Sequence, residues 1–134
     1  MPRIALPPTD RRILDQLERL DRRRIVESKS GMYPDALNKR LIGYVDGISF
    51  FAVNGGFVRN RLDVEFTMNC NWRSDMFVHE KESWIDDCLS PFDGLAAIKH
   101  ELFEWELMRG GSEASSAHDA ATRMETEFRK KFGR

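Results

Sequence analysis

Residues 90–111 read SPFDGLAAIKHELFEWELMRGG, and this stretch decides how the chain folds. Ser90-Pro91 predicts the start of a helix because proline suits the first helical turn, and Gly110-Gly111 predicts its end. Apolar residues lie on two sides of the helix, which predicts a central position. The motif HELFE (residues 100–104) places a histidine and a carboxylate one turn apart on one apolar face. A carboxylate in such surroundings must be paired, protonated or metal-bound, so we expect a site here.

A second helix is predicted after Gly110-Gly111, with Ser112 as its N-cap and an end near Lys131. Its apolar stripe is rich in alanine, which lets the helix approach a neighbour closely. His118 lies at the edge of that stripe, and Glu125 lies two turns further on the same side. Two antiparallel helices joined by a short glycine turn would therefore bring these two side chains against the HELFE helix.

The two helices together offer a metal-ligand set. A catalytic zinc site uses three protein ligands and keeps one position for water. His100, Glu104 and His118 are predicted as the metal ligands, with Glu125 as an alternative, and Glu101 as the general base. The other interpretation is a structural hydrogen-bond cluster of the same histidines and Glu104, which would satisfy its buried polar groups without metal.

The remainder of the chain predicts a single α+β domain over residues 1–134. Residues 1–8 form an extended arm, and Thr9 or Asp10 caps a basic helix that runs to about residue 27. Strand signals then follow, and Asn54-Gly55-Gly56 is typical of a tight turn. The predicted fold is an N-terminal helix, a small antiparallel sheet of three to five strands, and two C-terminal helices packed on it. The predicted strands are residues 41–45, 48–53, 62–68 and 83–88.

Composition narrows the class of protein. The chain has 41% hydrophobic and 32% charged residues, which is typical of a globular protein, and a formal net charge of -1. That balance disfavours nucleic acid as a partner, so the arginines of the first helix are interpreted as a solvated face. Neither a membrane-spanning run nor a secretory signal is recognisable, which predicts a cytoplasmic protein without a membrane partner. Cys70 and Cys88 are interpreted as two reduced thiols.

The HELFE helix, preceded by strands and followed by a helix, resembles the zincin metallopeptidases, most closely their smallest gluzincin-like members. The resemblance covers about residues 60–130, and Glu104 makes the motif HExxE where the family has HExxH. It implies a zinc cofactor, His100 as first ligand, Glu101 as base, and His118 or Glu125 as third ligand. It also implies that residues 83–87 form an antiparallel edge strand that binds a peptide substrate. The region is similar, too, to small uncharacterised bacterial and phage-type proteins.

These observations support three hypotheses. The first is a metal-dependent hydrolase of zincin type that attacks peptide bonds with a metal-activated water. The second is a non-catalytic zincin-like module, of phage or mobile-element origin, that binds a protein partner through a sheet edge or the basic helix. The third is a nucleic-acid accessory protein that uses the N-terminal arginines. His79, Asp86 and Asp87 are further candidates for the rim of the site, while the substrate and oligomeric state remain open.

Overall fold

The computed structural model describes residues 5–66, 68–73 and 76–133, and its architecture confirms the α+β class. An N-terminal helix, a four-stranded sheet and two C-terminal helices follow one another as predicted, with one additional short helix. The helices are α1 (Pro8–Lys29), α2 (Gly55–Arg61), α3 (Pro91–Arg109) and α4 (Ala114–Phe132). The strands are β1 (Arg40–Val45), β2 (Ile48–Val53), β3 (Asn69–Asn71) and β4 (Glu82–Asp86).

The sheet is mixed, which differs from the predicted antiparallel arrangement. Its strand order is β1-β2-β4-β3, with β2 and β4 parallel and the other two pairs antiparallel. The parallel pair arises because α2 and β3 lie between β2 and β4 in the chain and provide the crossover that parallel strands need. Since β4 lies between two other strands, the expectation that residues 83–87 form a substrate-binding edge is wrong.

Asn54-Gly55-Gly56 begins a helix and does not form the predicted tight turn. The Asn54 side-chain oxygen accepts the backbone N–H of Phe57 at 3.2 Å, which makes Asn54 the N-cap of α2. Glycine is required at position 55, because a Cβ atom there would lie 2.2 Å from a carboxylate oxygen of Asp86. In this segment Asn54 therefore caps a helix, and Gly55 allows the backbone to lie close to β4.

The predicted strand over residues 62–68 is also wrong. Its described residues, 62–66 and 68, lie in turns, a bend and irregular backbone, and β3 begins only at Asn69. The apolar residues of this segment do not share a buried face. Phe66 is buried, whereas Val64 is among the most exposed apolar side chains. Alternation alone does not provide a strand with a partner to pair with.

Both faces of the sheet are covered by apolar side chains. One face packs against α1, α3 and the end of α4, while α2 and the loops around β3 cover the other face. The apolar positions of α1 are buried as its spacing predicts: Ile13, Leu17 and Leu20. Helix α3 therefore lies centrally, between the sheet and the other helices, as the apolar residues on two of its sides predicted.

The predicted cap of α1 is not observed. The helix begins at Pro8 without a side-chain cap, and residues 1–4 of the predicted arm lie outside the described residues. Asp10 is buried and accepts Lys99 Nζ at 3.0 Å, because α1 packs across α3. None of the described helices combines the length and the apolar character that crossing a membrane requires.

Candidate metal centre

Helix α3 carries the candidate site, and its two ends form as the sequence predicts. The Ser90 hydroxyl accepts the backbone N–H of Asp93 at 3.2 Å, and Pro91 occupies the first turn. Helix α4 follows the glycine turn and packs along α3. It begins at Ala114 after Glu113, so Ser112 is not its cap. Ala117 and Ala121 of α4 are fully buried, and their small size lets the two helices approach closely.

His100, Glu104 and His118 converge on one point between α3 and α4. His100 Nε2 lies 3.2 Å from Glu104 Oε2 and 3.3 Å from His118 Nδ1. His118 Nδ1 lies 3.2 Å from the same Glu104 oxygen. The three atoms thus form a nearly equilateral triangle. Side-chain exposure is 12% for His100 and 61% for His118, so one side of the triangle opens to solvent.

The spacing of these three atoms fits a four-coordinate metal. A tetrahedral zinc ion with bonds of about 2.0–2.1 Å holds its ligand atoms about 3.3–3.4 Å apart. The observed 3.2–3.3 Å separations match that value closely. Two imidazoles and one carboxylate are also ligand types that zinc prefers. The residues present are therefore compatible with a divalent metal ion, and zinc itself stays a prediction.

Glu125 contacts the opposite side of His100 and lies outside the triangle. Its Oε1 atom lies 3.1 Å from His100 Nδ1, and its Oε2 accepts Arg129 Nε at 2.9 Å. A carboxylate only accepts hydrogen bonds, so His100 must carry a proton on Nδ1 to bond it. If the ring is neutral, Nε2 then carries no proton, and its lone pair points at Glu104 Oε2. Two acceptor atoms that face each other repel. Either an added proton or a metal ion is needed to make that contact favourable.

Glu101 does not join the triangle. It is buried on the side of α3 that faces β3, where its Oε1 accepts Asn69 Nδ2 at 2.8 Å. Its Oε2 accepts Asn71 Nδ2 at 3.2 Å and Arg73 Nη2 at 2.8 Å. Burial raises the pKa of Glu101, and the charge of Glu104 adds to the rise. With three donors and little exposure, this carboxylate is not open to water, and its general-base role remains a prediction.

Arg73 lies between the two carboxylates of the motif, and no local pattern in the sequence predicts this position. Its guanidinium donates to Glu101 and lies 3.7 Å from Glu104 Oε1. It also lies over the rings of Trp72 and Trp105, at 5.2 and 5.5 Å from their centroids. Arg73 is far from α3 in sequence and follows an unpredicted three-residue strand, so only the sheet register reveals this contact.

Asp86, Asp87 and Cys88 form a second group of closely spaced ligand atoms. Both carboxylates already have charged partners: Arg59 lies 3.1 Å from Asp86, and Arg40 lies 3.2 Å from Asp87. Burial raises the pKa of the Cys88 thiol, which disfavours the thiolate that a metal requires.

These contacts indicate a structural network at the end of β4. Tyr33 also donates to Asp87 at 2.5 Å, which ties the loop before β1 to the same corner. His79 is exposed and belongs to neither of the two groups of ligand atoms that the described residues form.

Comparisons of the chain with protein-family models, with curated proteins and with solved structures find no match. The zincin resemblance therefore stays a prediction. The geometry of the His100–Glu104–His118 triangle and its surroundings are what indicate a function for the chain.

Proposed function

We propose that His100, Glu104 and His118 hold one zinc ion and that the protein is a metal-dependent hydrolase. The observation that supports this proposal most strongly is the triangle itself, with three ligand atoms 3.2–3.3 Å apart. A structural zinc site normally has four protein ligands, whereas a catalytic site has three and an open position. The exposure of His118 leaves the outer side of the triangle accessible to a substrate.

Zinc in such a site would supply an acidified water and would polarise a carbonyl or phosphoryl oxygen. The residues of the chain would hold the ion and orient its ligands. His100 and Glu104 are fixed on the central helix, while His118 comes from α4, so the site forms only when the two helices are packed together. Arg73 lies beside Glu104 Oε1, which leaves Oε2 to face the histidines.

Zinc content of the purified protein tests the proposal. We expect about one zinc per chain in the wild type, and loss of zinc in both His100→Ala and His118→Ala. His79→Ala is the matched control, because His79 is the third histidine and lies outside the triangle. Failure of the wild type to retain zinc after incubation and dialysis would rule out the metal centre.

The hydrolytic part of the proposal requires a second experiment. Zinc-loaded protein is assayed against peptide, ester and phosphate-ester substrates, with His118→Ala as the inactive reference. Glu101→Gln is included: loss of activity with zinc retained would assign Glu101 the predicted base role. Because Asn69, Asn71 and Arg73 hold its carboxylate, Glu101→Gln should also lose stability, so circular dichroism must show that it is folded before its activity is compared. Full activity of the folded, zinc-loaded variant would contradict the base role.

A non-catalytic interaction module is the second candidate function. The exposed edge of strand β1 is the observation that favours it. This strand is one edge of the sheet, and its Leu41 and Tyr44 side chains are exposed. A groove of about 440 Å³ lies beside it, lined partly by Arg12 and Ile13 of α1. An exposed strand edge can accept an extended segment of a partner. Zinc binding without activity towards any of the three substrate types would favour this candidate.

The structure supports the nucleic-acid hypothesis less than it supports the other two. Several arginines of α1 pair with acidic residues of the same helix, which reduces the net positive charge of its surface. The pairs are Arg11 with Asp15 at 2.7 Å, Arg23 with Glu27 at 3.0 Å, and Arg24 with Asp21 at 3.4 Å.

A further inference from the structure

We infer that Glu125 is a positioning residue of the metal centre: it orients the His100 ring for metal binding and is not itself a ligand. This inference rests on the proposed function. Glu125 was the alternative third ligand in the sequence, but the structure places its Oε1 3.1 Å from Nδ1 of His100. The triangle uses the other ring nitrogen, Nε2. One carboxylate and the candidate metal position therefore lie on opposite sides of one imidazole.

The hydrogen bond to Glu125 selects the form of His100 that binds metal. Because Oε1 accepts, Nδ1 must carry the proton, and Nε2 keeps the lone pair that a metal requires. A carboxylate on the far nitrogen also fixes the plane of the ring and makes the ligand more basic. His100 has little freedom to turn, since its side chain is largely buried between α3 and α4.

Glu125 is itself held in place from behind. Arg129 Nε donates to Glu125 Oε2 at 2.9 Å, and Arg129 Nη1 donates to Asp93 Oδ1 at 2.6 Å. Asp93 in turn accepts the Ser90 hydroxyl at 2.9 Å, at the cap of α3. The chain of contacts thus runs from the start of α3, through α4, and back to His100 in the middle of α3. With one oxygen bonded to Arg129 and the other to His100, Glu125 is not available as a direct ligand.

Cobalt(II) titration followed by visible absorption tests the inference, because it reports both affinity and the identity of the ligands. We expect Glu125→Ala to weaken cobalt binding about 10- to 100-fold, the typical effect of losing such a partner, with the shape of the absorption band unchanged. Glu125→Gln keeps an acceptor oxygen without the charge, so its affinity should lie between those of Glu125→Ala and the wild type. Glu127→Ala is the matched control on the same helix, since Glu127 is 76% exposed and should bind cobalt like the wild type.

Two outcomes would contradict the positioning role of Glu125, and a third would contradict the metal centre. Cobalt affinity of Glu125→Ala within twofold of the wild type would overturn the positioning role. A changed band in Glu125→Gln would overturn it as well, because Glu125 would then be a ligand. Absence of cobalt binding in the wild type would instead refute the proposed metal centre itself. Circular dichroism of each variant shows whether it is folded, and Glu125→Gln preserves the side-chain volume if Glu125→Ala does not fold.

Discussion

Replacing Arg73 by methionine should destabilise the protein far more than replacing an arginine on its surface. Arg73 and Glu101 form a buried pair at 2.8 Å, with side-chain exposures of 12% and 9%. Removing one partner of a buried ion pair typically costs about 3–5 kcal/mol, because the other charge is left uncompensated. Glu101 would retain its bonds from Asn69 and Asn71, so we expect the lower end, about 3 kcal/mol.

The cost of Arg73→Met should depend on pH in a defined direction. Burial raises the pKa of Glu101, and Arg73 opposes that rise, so the pKa should increase further in the variant. A carboxyl with a raised pKa in the folded state contributes stability at low pH and loses it as pH rises through that pKa. The destabilisation should therefore be greatest near pH 7 and should shrink as pH falls toward about 4, where glutamates protonate.

Urea unfolding of four proteins measures this effect: wild type, Arg73→Met, Arg73→Met with Glu101→Gln, and Arg23→Met. The double variant should recover more than about 1 kcal/mol, because no buried charge remains to be paired. Arg23→Met is the control, since Arg23 forms an exposed pair with Glu27 and should cost less than about 1 kcal/mol. The reasoning is refuted if Arg73→Met costs no more than Arg23→Met at pH 7.

Three further changes have expected outcomes. Asp93→Asn should reduce stability at pH 7, because the Arg129 hydrogen bond lowers the pKa of Asp93; the difference from wild type should shrink as pH falls below about 4, the ordinary pKa of aspartate, in urea titrations. Ala121→Leu should cost about 1–3 kcal/mol in thermal unfolding and also weaken zinc binding, because Ala121 is fully buried where α4 meets α3. Asn54→Ala should cost at least about 1 kcal/mol through loss of the α2 cap, whereas Asn54→Asp keeps the cap oxygen but loses the bond that Asn54 Nδ2 donates to the Pro34 carbonyl, so it should recover only part of that cost, as urea unfolding would show.

Local signals in the sequence predicted the parts of the fold that local interactions determine. The limits of α3 follow from Ser90-Pro91 and Gly110-Gly111, and β1 and β2 lie close to their predicted positions. The convergence of His100, Glu104 and His118 was also predictable, because helical spacing and a short turn restrict where the three side chains can lie.

The contacts around Glu101 could not be predicted, because they depend on pairing between distant segments. β3 has only three residues, and its pairing with β4 is what brings Asn69, Asn71 and Arg73 under α3. The parallel pairing of β2 and β4 was missed for a related reason: Asn54-Gly55-Gly56 is typical both of a turn and of a helix start. Only the close approach of Asp86 to Gly55 distinguishes the two, and that contact is tertiary.

Zinc K-edge X-ray absorption of the zinc-loaded protein tests the central claim most directly, because it identifies the ligand atoms. The triangle predicts two imidazoles and oxygen ligands at about 2.0–2.1 Å, with no sulfur. This spectrum should be lost in His118→Ala. A sulfur ligand at about 2.3 Å would place the ion at the Asp86–Asp87–Cys88 group and contradict the assignment to His100, Glu104 and His118.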